Sequence, residues 1–192
     1  WLLKDRVIQG VHSLHTIYMR KLCQEIQLRT MEKNTLLFCQ GEVGKEFLVI
    51  LHGAVDLFIQ FSKRKEMNVL WCHSDEYFEA FPTHEVRRDY LSGYLGQLLM
   101  TLSQPKTEFG EMSLLSKGGV RNTSAVVSQQ STLLIVPDAI YQVTLRRAHA
   151  EKLEHQAKMD FLRACVICDG WREAMISQVS YMLVRRSYPR QT

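Results

Sequence analysis

The order of apolar patterns along this 192-residue chain predicts an α+β fold, with a rolled or barrel-like sheet flanked by helices at both ends. Three observations predict it. Apolar residues near the N-terminus repeat every three or four positions, the middle of the chain breaks into short apolar runs separated by glycine turns, and helical spacing returns after residue 137. One short helical turn, Met112 to Leu115, is expected among the strands, and the segment around it carries the chemistry.

Residues 1–34 form a helical entry segment: Val7, Val11, Leu14, Tyr18, Leu22 and Ile26 share one face of a helix, or of two consecutive helices. The roll occupies residues 35–136. Its first strands read Thr35 to Cys39, Phe47 to Leu51 and Ala54 to Phe61, separated by the turns Gln40-Gly41-Glu42-Val43-Gly44 and His52-Gly53. In the third, Val55, Leu57, Ile59 and Phe61 alternate with Ala54, Asp56, Phe58 and Gln60, as a sheet with one face more buried requires. Residues 62–96 are richer in charge, histidine and aromatics, and read as an insertion between strands. Strands resume at Gln97 to Leu102, Thr123 to Val127 and Ser131 to Val136. Residues 137–170 are assigned to C-terminal helices, with Asp138 as an N-cap and Leu153, Ala157, Phe161 and Cys165 as one apolar stripe.

Composition narrows the function classes. A hydrophobic fraction of 46% and a charged fraction of 23% fit a globular protein and exclude disorder over the whole length. No stretch approaches the roughly 18 apolar residues of a membrane span. The net charge of +4 is spread, and its densest runs, Lys63-Arg64-Lys65, Arg87-Arg88 and Arg185-Arg186, read as solvated faces; no nucleic-acid partner is expected. Five irregularly spaced cysteines make no disulfide framework and fit a reducing compartment, so a cytoplasmic location is expected. The opening Trp1-Leu2-Leu3-Lys4 is too short for a signal peptide, and without an initiator Met the chain reads as cut from something longer.

No arrangement points to an enzyme: there is no G-x-S-x-G, Walker loop, H-E-x-x-H or kinase signature. Cys165-Val166-Ile167-Cys168 has the C-x-x-C form but no second pair, so its sulfurs are expected on one apolar helix face. His12, His15, His149 and His155 lack a carboxylate or cysteine at ligand spacing, and no metal site is expected.

The segment Phe109-Gly110-Glu111-Met112-Ser113-Leu114-Leu115, with the loop Ser116-Lys117-Gly118-Gly119-Val120 and then Arg121-Asn122-Thr123-Ser124-Ala125, reads as a pocket for a phosphate attached to a sugar. It supplies a glycine for close backbone approach, a carboxylate to accept from hydroxyls, and a guanidinium for the anion. The free N–H groups of a helical turn at Met112 would point at the same anion.

That cassette, together with the turns Gly41-Glu42-Val43-Gly44 and Ile50-Leu51-His52-Gly53-Ala54-Val55, resembles the cyclic nucleotide-binding domains of cyclic-nucleotide-dependent kinases, gated channels and bacterial catabolite activators. The resemblance covers about Leu14 to Cys165 without Ser62 to Gly96. It implies a β-roll of the double-stranded β-helix or jelly-roll type, with a phosphate-binding cassette at residues 109–125. It further implies that Glu111 accepts from the ribose 2′-hydroxyl and Arg121 pairs with the cyclic phosphate. Backbone N–H groups of Gly110, Met112, Ser113 and Asn122 complete the anion site, and Thr123 begins a strand close to phosphate and base. The implied ligand is cAMP or cGMP, and the implied function is a sensor that couples occupancy to movement of the C-terminal helices, with an apolar side chain from Glu151 to Cys165 capping the base. The alternative is a roll serving as a scaffold or protein-interaction module without ligand. The chain departs from the family pattern at Val120, where proline is usual, in a loop one residue longer than the kinase form, and at Asn122-Thr123, where small alanines are common.

Met182 to Thr192 can also be laid over Glu25 to Thr35 without gaps, so that Ile26 meets Leu183 and Arg29 meets Arg186. Residues 171–192 are therefore expected to start a second, similar domain, which with an effector is the partner expected besides the nucleotide.

Overall fold

The computed structural model describes residues 16–61, 79–116 and 118–186. Two compact units divide the chain, Trp1–Arg146 and Arg147–Thr192.

In the first unit, α1 (Thr16–Glu25) is followed by the strands β1 (Gln27–Met31), β2 (Leu36–Phe38) and β3 (Glu46–Ile59). Helix α2 (His84–Leu95) precedes β4 (Gln97–Leu102) and β5 (Glu108–Phe109); then come the short α3 (Met112–Leu115), β6 (Ser124–Pro137) and α4 (Asp138–Thr144). All strand pairs are antiparallel, in the order β1-β6-β3-β4, with β2 also on β6 and β5 also on β3.

Period-two alternation sorts the side chains of the two long strands between two cores. Leu48 and Ile50 of β3 and Leu133 and Ile135 of β6 pack with Phe38, Val55 and Phe109 in one cluster. Their neighbours Phe47, Val49, Leu134 and Val136 pack instead against Leu22 of α1, Leu114 of α3, and Tyr141 and Leu145 at the end of the roll. A third cluster sets Leu91 and Leu95 of α2 on Leu36, Cys39 and Val126.

Several boundaries differ from the sequence reading for physical reasons. The helical entry ends at Glu25, because Gln27–Met31 pairs with Ser131–Ile135 as an edge strand; residues 1–15 of that entry, with His12 and His15, lie outside the described residues. The two runs expected around His52-Gly53 are one strand with shifted register between Ile50 and Val55. Inside that irregularity the Ser131 hydroxyl accepts from Ala54 N–H at 2.9 Å and donates to Gln129 O at 2.7 Å, replacing ladder bonds. Likewise Ser124–Pro137 is continuous where two strands were expected. The insertion contains α2, N-capped by Thr83; residues 62–78 lie outside the described residues.

Asp138 is the first helical residue and not a side-chain N-cap: its N–H donates to Lys45 O at 2.8 Å and its carboxylate accepts from Gln142.

The second unit contains α5 (Arg146–Ala164) from its second residue onward, a 3-10 turn (Val166–Cys168) and α6 (Glu173–Met182). Its core joins Met159, Leu162, Cys168 and Ile176. The expected stripe Leu153, Ala157, Phe161, Cys165 is therefore only partly inward, and Phe161 is exposed. A spacing of four advances about 40° past a full turn each time, so such a stripe drifts off the buried face within three repeats. Cys165 and Cys168 do not share a helix face, because α5 ends at Ala164 and Cys165 is extended before the 3-10 turn; both join the apolar core, and burial, then Cys165, pushes the Cys168 thiol up, away from reactive thiolate.

Among the described residues no helix is long and apolar enough to cross a membrane, and no group of His, Cys, Asp and Glu could hold a metal ion.

Candidate functional site

The seven site residues expected from sequence, Gly110, Glu111, Met112, Ser113, Arg121, Asn122 and Thr123, all line one cleft of about 280 Å³. Its remaining walls are Phe38, Leu57, Met100, Leu102, Glu108 and Phe109. One end is thus charged and hydrogen-bonding, and the other is apolar.

Local chain geometry explains the charged end. Strand β5 delivers Phe109 into the roll opposite Leu48, and the chain then turns at Gly110 with φ +87°. Glu111 follows in the α region as N-cap of α3, and its carbonyl receives Leu114 N–H at 2.9 Å and Leu115 N–H at 3.1 Å. The N–H groups of Met112 and Ser113 belong to the first turn, where no intrahelical acceptor exists. The cassette's back rests on Gly44, where a Cβ would lie 2.2 Å from Ser113 Oγ and 2.7 Å from Ser113 Cβ. That contact sets the upstream glycine turn directly against the cassette.

Arg121 is buried, with 4% of its surface exposed. Nη1 donates to Gly110 O at 2.7 Å and to Ser113 Oγ at 3.1 Å, and Nη2 donates to Glu46 O at 2.7 Å. Its guanidinium lies 4.0 Å over the Phe38 ring. Among the described residues it forms no ion pair, and Nε–H and one Nη2–H have no acceptor. Burial lowers its pKa from the ordinary arginine value, while the nearby charges of Glu46, Glu42 and Glu111 draw it back. The result is a fixed cation, its fork held by main-chain carbonyls and its charge not neutralised by contact.

Two roles were not legible in the sequence. Ser113 was expected to contribute its N–H, yet its hydroxyl also braces Arg121 and donates to Gly110 O at 3.0 Å. Phe38 sits in an ordinary apolar run, Leu36-Leu37-Phe38, with nothing to mark it as the platform under a cation. Two of the histidines sit in packed surroundings: His149 is buried, and His155 Nδ1 shares a hydrogen bond with Ser180 Oγ and stacks on Tyr181.

Comparison with solved structures identifies the fold. The regulatory domain of Toxoplasma gondii PKA, co-crystallised with cAMP, superposes with a TM-score of 0.54 at 14% identity, covering 92% of this chain and 55% of that one. The fold is that of the cyclic nucleotide-binding domain. The same cyclic nucleotide-binding fold superposes on the sensor domain of the transcriptional regulator DNR from Pseudomonas aeruginosa, at TM-score 0.52 and 15% identity over 83% of this chain and 87% of that one. It also superposes on the regulatory subunit of a cAMP-independent protein kinase A from Trypanosoma brucei, at TM-score 0.52 and 13% identity over 78% and 43%. Against the Toxoplasma structure this chain therefore spans about half the partner's length. No protein-family model matches the chain. An uncharacterized protein of Haemophilus influenzae is 38% identical over 56 residues, which is 29% of this chain and 43% of that protein.

Proposed function

We propose that this chain is a non-catalytic sensor module that binds cAMP or cGMP in the cleft beside Arg121. The observation that carries the proposal is the buried guanidinium with donors to spare and no carboxylate in contact. A cyclic phosphate would take Nε–H and the remaining Nη2–H, joined by the N–H groups of Met112, Ser113 and Asn122. Glu111 would accept from the ribose 2′-hydroxyl, and the base would lie toward Leu57, Met100 and Leu102.

The route by which occupancy is passed on starts at the cassette helix. Gln142 Nε2 donates to Leu114 O at 2.8 Å, and Arg146 Nη2 to Leu115 O at 3.0 Å. A ligand that holds α3 therefore acts on α4 and on the first residue of α5, and shifts their equilibrium by its preference for one arrangement.

Calorimetry with cAMP and cGMP tests binding, and one variant tests the pose. Glu111→Gln is expected to weaken cAMP about tenfold, the effect of one hydrogen bond to a charged group, and to leave 2′-deoxy-cAMP unchanged. Equal losses for both ligands would contradict the assigned contact. A scaffold without ligand is the second reading, supported by the cAMP-independent kinase subunit among the similar folds. Absence of heat and of thermal shift at millimolar nucleotide would select it.

We further propose that the second unit ends in the entry of a second roll. Helices α1 (Thr16–Glu25) and α6 (Glu173–Met182) each have 10 residues and stand in the register of the sequence overlay. Met19, Leu22 and Ile26 pack inward in the first, as Ile176, Val179 and Leu183 do in the second. Each helix also closes with the same bond, Ile26 N–H to Leu22 O at 3.0 Å and Leu183 N–H to Val179 O at 3.2 Å. In the full-length gene product, amides of Val184–Arg186 are expected to resist hydrogen exchange to the same degree as those of Gln27–Arg29, which pair with β6. Exchange at the rate of an unstructured peptide would end this idea.

A further inference from the structure

We infer that Gln40 is a positioning residue that ties the excursion between β3 and β4 to the main chain of Arg121. Its functional meaning rests on the reading of Arg121 as the anion-binding group, whereas the tie is a matter of hydrogen bonds alone.

Strand β3 ends at Ile59, and the next residue, Gln60, is where the chain leaves the sheet. There Gln60 N–H donates to Gln40 Oε1 at 2.9 Å, and Gln40 Nε2 donates to Gln60 O at 3.2 Å. One side-chain amide thus satisfies both backbone groups of the departing residue, as a neighbouring strand would.

The other end of Gln40 faces the arginine. Its N–H donates to Ser124 Oγ at 2.9 Å. The residues after it bracket the arginine peptide from both sides: Gly41 N–H donates to Arg121 O at 2.7 Å, and Arg121 N–H donates to Glu42 O at 2.8 Å. The Glu42 carboxylate closes the turn by accepting Cys39 N–H at 2.7 Å.

The returning end of the excursion meets the same point. A Cβ at Gly96 would lie 2.5 Å from Ile59 O and 3.0 Å from Gln60 Cα. Helix α2, which precedes Gly96, packs through Leu91 and Leu95 on Leu36, Cys39 and Val126, residues that lead into the Gln40 turn and away from Arg121. Displacement of α2 is therefore transmitted to the Arg121 peptide by packing and by the Gln40 amide together. Because the guanidinium is fixed by carbonyls of Gly110 and Glu46, a shift of its own peptide strains those bonds directly.

Hydrogen exchange on the unliganded protein tests the tie. Gln40→Met keeps the length and removes the amide; it is expected to speed exchange at Gln60, Gly41 and Arg121 about fivefold or more, with Leu133–Val136 unchanged. Gln40→Glu keeps the acceptor for Gln60 N–H and is expected to recover part of the protection. Unchanged exchange in Gln40→Met, or a rise shared equally by Leu133–Val136, would overturn the positioning role. In calorimetry with cAMP, affinity is expected to fall from wild type through Gln40→Glu to Gln40→Met, and equal affinities would overturn the functional link. A wild type that binds no nucleotide would defeat the cyclic-nucleotide reading, and the exchange result would still decide the tie.

Discussion

Arg121→Ala is expected to weaken cyclic-nucleotide binding at least a hundredfold while the protein remains folded. Truncating one partner of a buried charge pair costs about 2–5 kcal/mol, and here the pair would be guanidinium and cyclic phosphate in a cleft that Phe38 and Phe109 keep partly dry. The effect on stability is expected to be smaller because two contributions oppose each other. Removal takes the guanidinium donor from Glu46 O and Ser113 Oγ, at about 1–3 kcal/mol for a buried group left unsatisfied, while Gly110 O keeps the Ser113 hydroxyl. It also removes a buried cation that has no ion-pair partner among the described residues, and that relief offsets part of the loss. A net decrease of about 1–2 kcal/mol in urea unfolding is expected. Arg121→Lys retains the charge but not the planar fork, so it cannot serve Gly110 O, Glu46 O and the phosphate together and is expected to fall between wild type and Ala. Undiminished binding by Arg121→Ala in calorimetry would remove the anion site from this cleft altogether.

What could be read from the sequence divides along a physical line. The cassette and the glycine turns were legible because each glycine marks a local demand: Gly41 and Gly110 both take positive φ, +85° and +87°. The alternation from Ala54 to Phe61 predicted one face more buried than the other, whereas β3 packs Val55 and Leu57 into one cluster and Phe58 against another, and Phe61 lies exposed beyond its end. Strand ends were not legible, because the span of β3 and β6 is set by their pairing over residues far apart in sequence, and the Ser131 hydroxyl carries β3 through its irregular stretch. Helix-face assignment in α5 failed for a different reason, since a four-residue repeat mimics a stripe over short distances and drifts over longer ones. Ser113 Oγ acts on Arg121, 8 positions away, Gln40 on Ser124 and Gln60, 84 and 20 positions away, and Phe38 on the distant Arg121, and pattern in one sequence carries no signal for such pairs.

Gly110→Ala carries the second large effect, and Gly118→Ala is its natural control. Both glycines have positive φ, +87° and +67°, so either alanine brings backbone strain of about 1–3 kcal/mol. Their surroundings differ. A Cβ at Gly118 meets nothing within 4 Å, whereas one at Gly110 would lie 2.5 Å from Arg121 Nη1 and 3.4 Å from Leu48 Cδ1. The Leu48 distance is ordinary van der Waals contact, whereas the approach to Nη1 is a clash, so the guanidinium must move, giving up Gly110 O and Ser113 Oγ. Gly110→Ala is therefore expected to lower the urea midpoint more than Gly118→Ala and to weaken cyclic-nucleotide binding at least a hundredfold, as loss of the arginine contact does. Gly118→Ala is expected to keep binding within about threefold of wild type, since its strain falls on an exposed loop position. If the two variants lose affinity equally, cassette flexibility and not the placement of Arg121 governs the site. If Gly110→Ala alone loses it, the close approach of that glycine to the guanidinium is what fixes the anion position.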